Sequence, residues 1–366
     1  EFSDWSSDVC SSDLLTHEQF VRLPKADLHR HFDGCIRPST IIEIAKEQNL
    51  KLPTYDEEEL KKLVMMTNDC ESLVEYLRAF DIINTVLQKK ENIVRAMYEC
   101  CQDAHEDGLT YVEFRFAPVL MTQNGLSSEE VIDAIIEGAK KAEKDFGIVV
   151  RLVLCIMRHL SMDEAMKVAN LAIKYKGNYV VAIDLAGPEN GFMPSTLVKA
   201  FDMAHEAGIH VTIHAGEAAG HESVDDAIRC YAERIGHGVR LLEDEKTIQD
   251  VINNNVVVEC CVTSNVQTKA INKLQDHPLL TFLQKGITAT INTDNTTVSN
   301  CSESGELELV SKLFNLSNEQ LTQLIINSFK AAFIEDESVR KRLIDDAMLK
   351  FKEMNKIGRA SCRERV

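Results

Sequence analysis

From residue 22 to 355 the chain alternates two hydrophobic patterns. Short β-branched, apolar runs at 26–31, 110–116, 149–157, 179–185, 210–214, 234–236, 256–259 and 287–293 read as strands. Between them, longer segments such as 128–144, 195–207 and 223–233 carry apolar residues at i, i+3 and i+4 and read as helices. Strands alternating with helices predict an α/β fold with a parallel sheet, and eight is the number that closes a (β/α)8 TIM-type barrel; a doubly wound open sheet competes. The long insert after strand 1 predicts helices at 38–48, 56–66, 71–87 and 92–107, beside the face where such barrels build their sites. Further C-terminal helices are expected at 306–315, 317–333 and 337–354.

The two ends share neither period. Residues 1–14 (EFSDWSSDVCSSDL) and 356–366 (KIGRASCRERV) resemble translated sequencing-library adapters, the tail being spelled by codons that begin AAGATCGGAAGAGC. Both are expected to be non-native, the first disordered, leaving one domain over 15–355.

Composition narrows the partners. Against 58 acidic side chains stand 40 Lys and Arg, a formal charge of −18 over 366 residues. Nucleic-acid backbones and anionic membranes call for the opposite sign, so neither is an expected partner. With 45% apolar and 27% charged residues the chain has a globular composition. No run approaches the roughly 18 apolar residues of a membrane span. The eleven cysteines are odd in number and scattered, with adjacent pairs at Cys100/Cys101 and Cys260/Cys261. That is no disulfide framework, and a reducing, cytoplasmic location is expected.

Candidate chemistry collects at strand ends. His29 and His31 close the first strand, and their i, i+2 spacing turns both imidazoles to one face, as two ligands of one metal require. A lone His-x-His is weak evidence, because a zinc needs further ligands. They are available: His214 and Glu217 at the end of the fifth strand, His237 at the sixth and Asp294 at the eighth. In a barrel these ends meet at one mouth. His17, His105, His159, His205, His210, His221 and His277 read instead as surface or satisfied core residues, with a supporting role open for His159. P-loop, dinucleotide-binding, H-E-x-x-H and G-x-S-x-G motifs are all missing from the sequence.

In order, LPKADLHRHFDG, YVEFRFAP, AIDLAGPE, HAGEAAGHES, RIGHG, CVTSNVQT and NTDN resemble the adenosine deaminase family of the metal-dependent amidohydrolase superfamily, over residues 22–354. The resemblance implies one zinc ion on His29, His31, His214 and Asp294, and hydrolysis of adenosine, with 2′-deoxyadenosine, to inosine and ammonia. It gives Glu217 the role of proton donor to purine N1, and His237 that of orienting the water and stabilising the oxyanion. Asp294 accepts a hydrogen bond from that water. For substrate binding it implies Asp33 on a ribose hydroxyl and the Gly187 N–H on purine N3. Leu73, Tyr76 and Phe80, at i, i+3 and i+7, would form an apolar lid, a spacing that simple helix packing also explains. Many relatives carry a second aspartate where this chain has Asn295, whose amide donates to purine N7 at any pH.

Adenine or a modified adenosine is the alternative substrate within the same chemistry. AMP is disfavoured, since no Arg/Lys cluster lies near the motifs. A metal-binding barrel without catalysis would have no use for Glu217 and His237. The cytidine-type zinc deaminases are excluded by the missing H-x-E and P-C-x-x-C motifs.

Overall fold

In a computed structural model, the backbone is described at residues 15–70 and 76–363 and the side chains as far as Met354. Eight parallel strands follow one another in chain order: β1 (Lys25–His31), β2 (Leu109–Phe116), β3 (Val149–Met157), β4 (Val180–Ala186), β5 (His210–Ala215), β6 (Arg234–His237), β7 (Val257–Cys260) and β8 (Ala289–Ile291). Strands buried on both faces are usually apolar throughout, but here Asp27, His29 and His31 on β1 and Glu113 and Arg115 on β2 break the run with polar side chains. The ends of β8 and β1 meet through two backbone bonds, from His31 N–H to the Asp294 carbonyl and from Asp294 N–H to the His29 carbonyl, both 2.8 Å. These bonds bring the sheet round into a nearly closed barrel and place a site residue at the seam.

Helices cover the barrel. The helix Ser128–Phe146 shows why they form where the pattern puts them. A capping box between Ser127 and Glu130 satisfies its first free N–H groups, and Gly147, at φ 72°, ends it in the left-handed conformation. Its buried stripe, including Val131, Ile132, Ile135 and Ala139, packs on the barrel side.

Several boundaries differ from the pattern. The segment read as one helix over 195–207 begins as a 3₁₀ turn, Pro194–Leu197, and becomes α-helical at Val198–Glu206. The helix read at 223–233 runs over His221–Arg229, leaving room for the turn into β6. Of the helix read over 71–87, residues 71–75 lie outside the described ones, and Ala79–Asn84 is helical. The last helix, Glu337–Arg363, continues into the segment that the period left out of the fold. Its Lys, Arg and Ala residues favour helix without needing an apolar face.

Inside the barrel, below the mouth, charge replaces the usual apolar filling. Arg115 reaches Asp184 at 3.1 Å and Glu259 at 2.9 Å, and donates to the Leu28 carbonyl at 2.6 Å. Arg234 lies 2.7 Å from Glu259 and also pairs with Glu113. All these side chains are buried. Such charges are tolerable away from water only when each is paired and hydrogen-bonded, and removing one member strands the rest.

Candidate active site

Strand ends and the turns after them build the site. His29 and His31 end β1, His214 lies near the end of β5, and Asp294 follows β8. One donor atom from each of the four lies within 4.8 Å of the others. The Nε2 atoms of His31 and His214 are 3.1 Å apart, and Asp294 Oδ1 stands 3.5 Å from His29 Nε2 and 3.4 Å from His31 Nε2. His29 Nε2 is buried with no hydrogen-bond partner. A fully buried imidazole nitrogen without a partner, facing two more imidazoles and a carboxylate, fits a metal ion as its missing neighbour.

Protonation differs among the three imidazoles: burial and Arg115 draw His29 down, but its hydrogen bonds to Asp294 and Glu259 outweigh them and raise it. Burial, together with the neighbouring imidazoles, pushes His31 well below the ordinary histidine range despite the opposing pull of Asp294. Burial likewise brings His214 down to about 4. Neutral imidazole is the form that binds metal.

Each metal-facing ring is held from behind. The Nδ1 of His29 meets Glu259 at 2.7 Å, and the Nδ1 of His214 meets Asp184 at 3.0 Å. These contacts fix which nitrogen faces the cluster. Asp294 Oδ2 accepts from the Ser264 hydroxyl at 2.6 Å. Gly236 is required beside this centre, because a Cβ there would stand 2.7 Å from His29 Cε1.

His237 and Asp294 adopt φ of 68° and 63°, in the left-handed region that side chains other than glycine rarely enter. Such backbone persists where the surroundings enforce it, commonly at sites of function. Glu217 comes from the turn after β5, with Oε2 3.7 Å from His237 Nε2. Its loop is held by the buried Glu189, whose carboxylate accepts the backbone N–H groups of Gly216, Glu217, Ala218 and Ala219 at 2.6–3.0 Å. Burial raises the Glu217 carboxyl; His237 draws it down, while Asp294 and Glu189 push it up further. A carboxylic acid that keeps its proton can donate it.

Above the cluster opens a cavity of about 320 Å³. Asp33, Gly187, Asn295, Tyr76 and Phe80 all line it, beside His31, His214, Glu217, His237 and Asp294. Leu73 lies outside the described residues. Tyr76 differs from a purely apolar lid residue: its hydroxyl contacts Ser299 Oγ at 2.7 Å and accepts from Asn295 Nδ2 at 2.9 Å. His159, open as a supporting residue, stands on the cavity wall. Among the described residues no Lys or Arg lines the cavity, whereas Asp33 and Asp81 do.

Asp184 and Glu189 lie within AIDLAGPE and Asn265 within CVTSNVQT, but the sequence reading assigned none of them a role, and Glu259 lies outside the motifs. A signal existed for Asp184 and Glu259, since each is a lone carboxylate in an otherwise apolar strand, wholly buried in β4 and nearly so in β7. Polar groups in such places need partners.

A model of the family described as adenosine deaminase matches residues 24–349. The chain belongs to the adenosine deaminase family. It is 43% identical over 325 residues to an adenosine deaminase of Clostridium botulinum strain 657, a match covering 88% of this chain and 98% of that one. A probable adenosine deaminase of Dictyostelium discoideum is also 43% identical over 322 residues, 88% of this chain but 42% of the longer protein. The solved structure of adenine deaminase from Arthrobacter aurescens superposes with a TM-score of 0.84 at 26% identity, covering 90% of this chain and 99% of that one. This family member is a hydrolase acting on carbon–nitrogen bonds in cyclic amidines, with small purine compounds as substrates. Among the described residues no helix is long and apolar enough to cross a membrane.

Proposed function

We propose that this chain hydrolyses adenosine and 2′-deoxyadenosine to inosine, or deoxyinosine, and ammonia, using one zinc ion held by His29, His31, His214 and Asp294. The observation that carries the reading is the facing set of three imidazoles and one carboxylate, with Glu217, whose carboxyl burial raises, in the same cavity. Zinc would supply hydroxide at neutral pH by lowering the pKa of water toward about 7.

The residues of the chain do the rest. Glu217 gives its proton to purine N1, which draws electrons from C6 and opens that carbon to attack. His237, across from Glu217, orients the water and stabilises the oxygen as negative charge develops. Asp294 accepts a hydrogen bond from the water. The oxygen of the water bonds to C6, one of its protons restores the Glu217 carboxyl and the other passes to the amino group, and the C6–N bond breaks so that ammonia leaves a C6 carbonyl. Gly187, with φ 98°, has the backbone freedom to turn its N–H toward purine N3. Asp33 takes a ribose hydroxyl, Asn295 donates to N7, and Tyr76 and Phe80, with Leu73, cover the ring.

Asp33 and Asp81 on the cavity wall, with no Lys or Arg lining it among the described residues, favour a nucleoside over a 5′-nucleotide, whose phosphate would meet like charge. We assign this activity to a domain spanning residues 15–355, with 1–14 and 356–366 as non-native additions. Leaving Cys70 aside, eight free cysteines among the described residues, seven of them buried, support a reducing compartment such as the cytoplasm.

Loss of the ultraviolet absorbance of adenosine tests the reading, run beside Glu217→Gln and with adenine, AMP and 5′-modified adenosines. Conversion of adenosine that Glu217→Gln abolishes is the expected result. Turnover of adenine or a modified nucleoside alone would move the substrate, and stoichiometric zinc without any deamination would overturn the enzymatic assignment.

A further inference from the structure

We infer that Asn265 and His277 lock His237 in its Nε2–H tautomer, so that it faces the cavity as a hydrogen-bond donor and not as a base. This rests on the reading of the cavity as a deaminase site and adds two positioning residues to it.

The direction of the chain of bonds is set at its far end. Leu279 opens the helix Leu279–Lys285, and its backbone N–H is among the donors that a helix start leaves free. That N–H donates to His277 Nδ1 at 3.2 Å. Unlike a side-chain amide, a backbone N–H cannot exchange its role, so Nδ1 of His277 carries a lone pair. The neutral ring then holds its proton on Nε2, which donates to Asn265 Oδ1 at 3.2 Å. With its oxygen engaged, Asn265 presents Nδ2 to His237 Nδ1 at 2.9 Å. An amide nitrogen only donates, so Nδ1 of His237 must accept. The proton of neutral His237 therefore sits on Nε2, the atom 3.7 Å from Glu217 Oε2.

Nothing around the chain offers another arrangement. His237, Asn265 and His277 are 1%, 0% and 3% exposed. Turning the amide over would set its NH2 against the Nε2–H of His277, a mismatch inside a site closed to solvent that no tautomer of His237 relieves. Burial, with His237 adding to it, pushes His277 down to about 3, which keeps that ring neutral.

The consequence is a division of labour at the attacking water. His237 donates from Nε2 and stabilises negative charge, while its lone pair is spent on Asn265, away from the cavity. Acceptance of the water's hydrogen bond is left to Asp294.

The test uses the full chain as purified, labelled with ¹⁵N-histidine. Long-range ¹H–¹⁵N spectra read the tautomer of each ring, with His237→Gln identifying the His237 signals. The expected result is His237 protonated at Nε2 and bare at Nδ1. Asn265→Leu should abolish that single tautomer and lower kcat about 10- to 100-fold with KM for adenosine unchanged. His277→Leu should behave alike, whereas His277→Gln, which keeps an N–H for Asn265, should recover part of the rate. Protonation of wild-type His237 at Nδ1 overturns the inference, as does a loss of kcat in Asn265→Leu with the tautomer unaltered. The wild-type spectrum decides even if a variant fails to fold. It needs no turnover, so an Nε2–H ring in a protein inert toward adenosine would uphold the relay and sink the deaminase reading.

Discussion

Glu259 stands directly behind His29, its Oε2 2.7 Å from the imidazole Nδ1, and both side chains are wholly buried. Asp184 repeats the relation behind His214, and Arg115 joins the two carboxylates. Burial alone would raise the Glu259 carboxyl, but the charges of Arg115 and Arg234, with the bond from His29, hold it well below the ordinary range. An ionised carboxylate keeps the proton of His29 on Nδ1 and leaves Nε2 free for a metal. Glu259→Gln should therefore weaken metal retention by about 10- to 100-fold, and Asp184→Asn should do the same through His214. Competition with a chelator, followed by metal analysis, measures this. Unchanged retention in both variants would show that neither carboxylate supports the metal ligands.

Glu217 gives the site a pH dependence of known sign. Its carboxyl is raised chiefly by burial; His237 opposes the shift, and Asp294 and Glu189 add to it. Arg158 is the other charge that acts on it, and the Arg240 side chain donates to its backbone carbonyl. Since the protonated form is the donor, activity is present below the raised pKa and falls as pH climbs through it. A profile of kcat/KM against pH should show a basic limb above the usual carboxylate range. Glu217→Gln should lose that limb along with about 10²- to 10⁴-fold of the rate. A wild-type profile that stays flat into the alkaline region would rule out Glu217 as the acid.

The fold was readable because strand and helix periods are local properties. The run read at 149–157 is β3 to the residue. β8 is shorter at both ends than the 287–293 read from sequence, Ala289–Ile291, and the chain turns at Asp294, where φ is 63°. Apolar composition does not reveal that turn. The metal-facing residues were readable too, since each lies at or just beyond a strand end and barrel geometry carries those ends to one mouth. Partners met across the barrel were not. Glu259 lies 230 residues from His29, and no local period connects them. His277 read as a surface or satisfied core residue, of which its burial bears out the second; its link through Asn265 to His237 appears only in three dimensions.

Ribose recognition can be separated from chemistry at Asp33. This carboxylate lines the cavity, is 5% exposed, and is hydrogen-bonded by the Asn84 side chain. A hydrogen bond to a charged group contributes about 1.5–3 kcal/mol, so Asp33→Ala should raise KM for adenosine roughly 10- to 150-fold. Adenine has no ribose, and any slow turnover of the free base should be unaffected. Steady-state kinetics on both substrates check this. An equal loss on adenine would mean that Asp33 serves the metal centre or the fold and not the sugar.

Tyr76 distinguishes a lid that only covers from a lid that positions. Its ring packs against Phe80 with centroids 6.4 Å apart, which an apolar side chain could also do. Its hydroxyl does something further, accepting one amide hydrogen of Asn295 while contacting Ser299. Gly34 backs the other end of that amide so closely that a Cβ would fall 1.8 Å from Asn295 Oδ1. Between these two contacts the amide has little freedom, and its second hydrogen remains for purine N7. Tyr76→Phe keeps the ring and removes only the acceptor. One such bond contributes about 0.5–1.5 kcal/mol, so KM for adenosine should rise about 2- to 10-fold with kcat nearly constant. 7-Deazaadenosine, which lacks the N7 acceptor, should bind wild type and variant alike. If Tyr76→Phe leaves KM for adenosine unchanged, the residue acts through its ring alone and Asn295 is oriented without it.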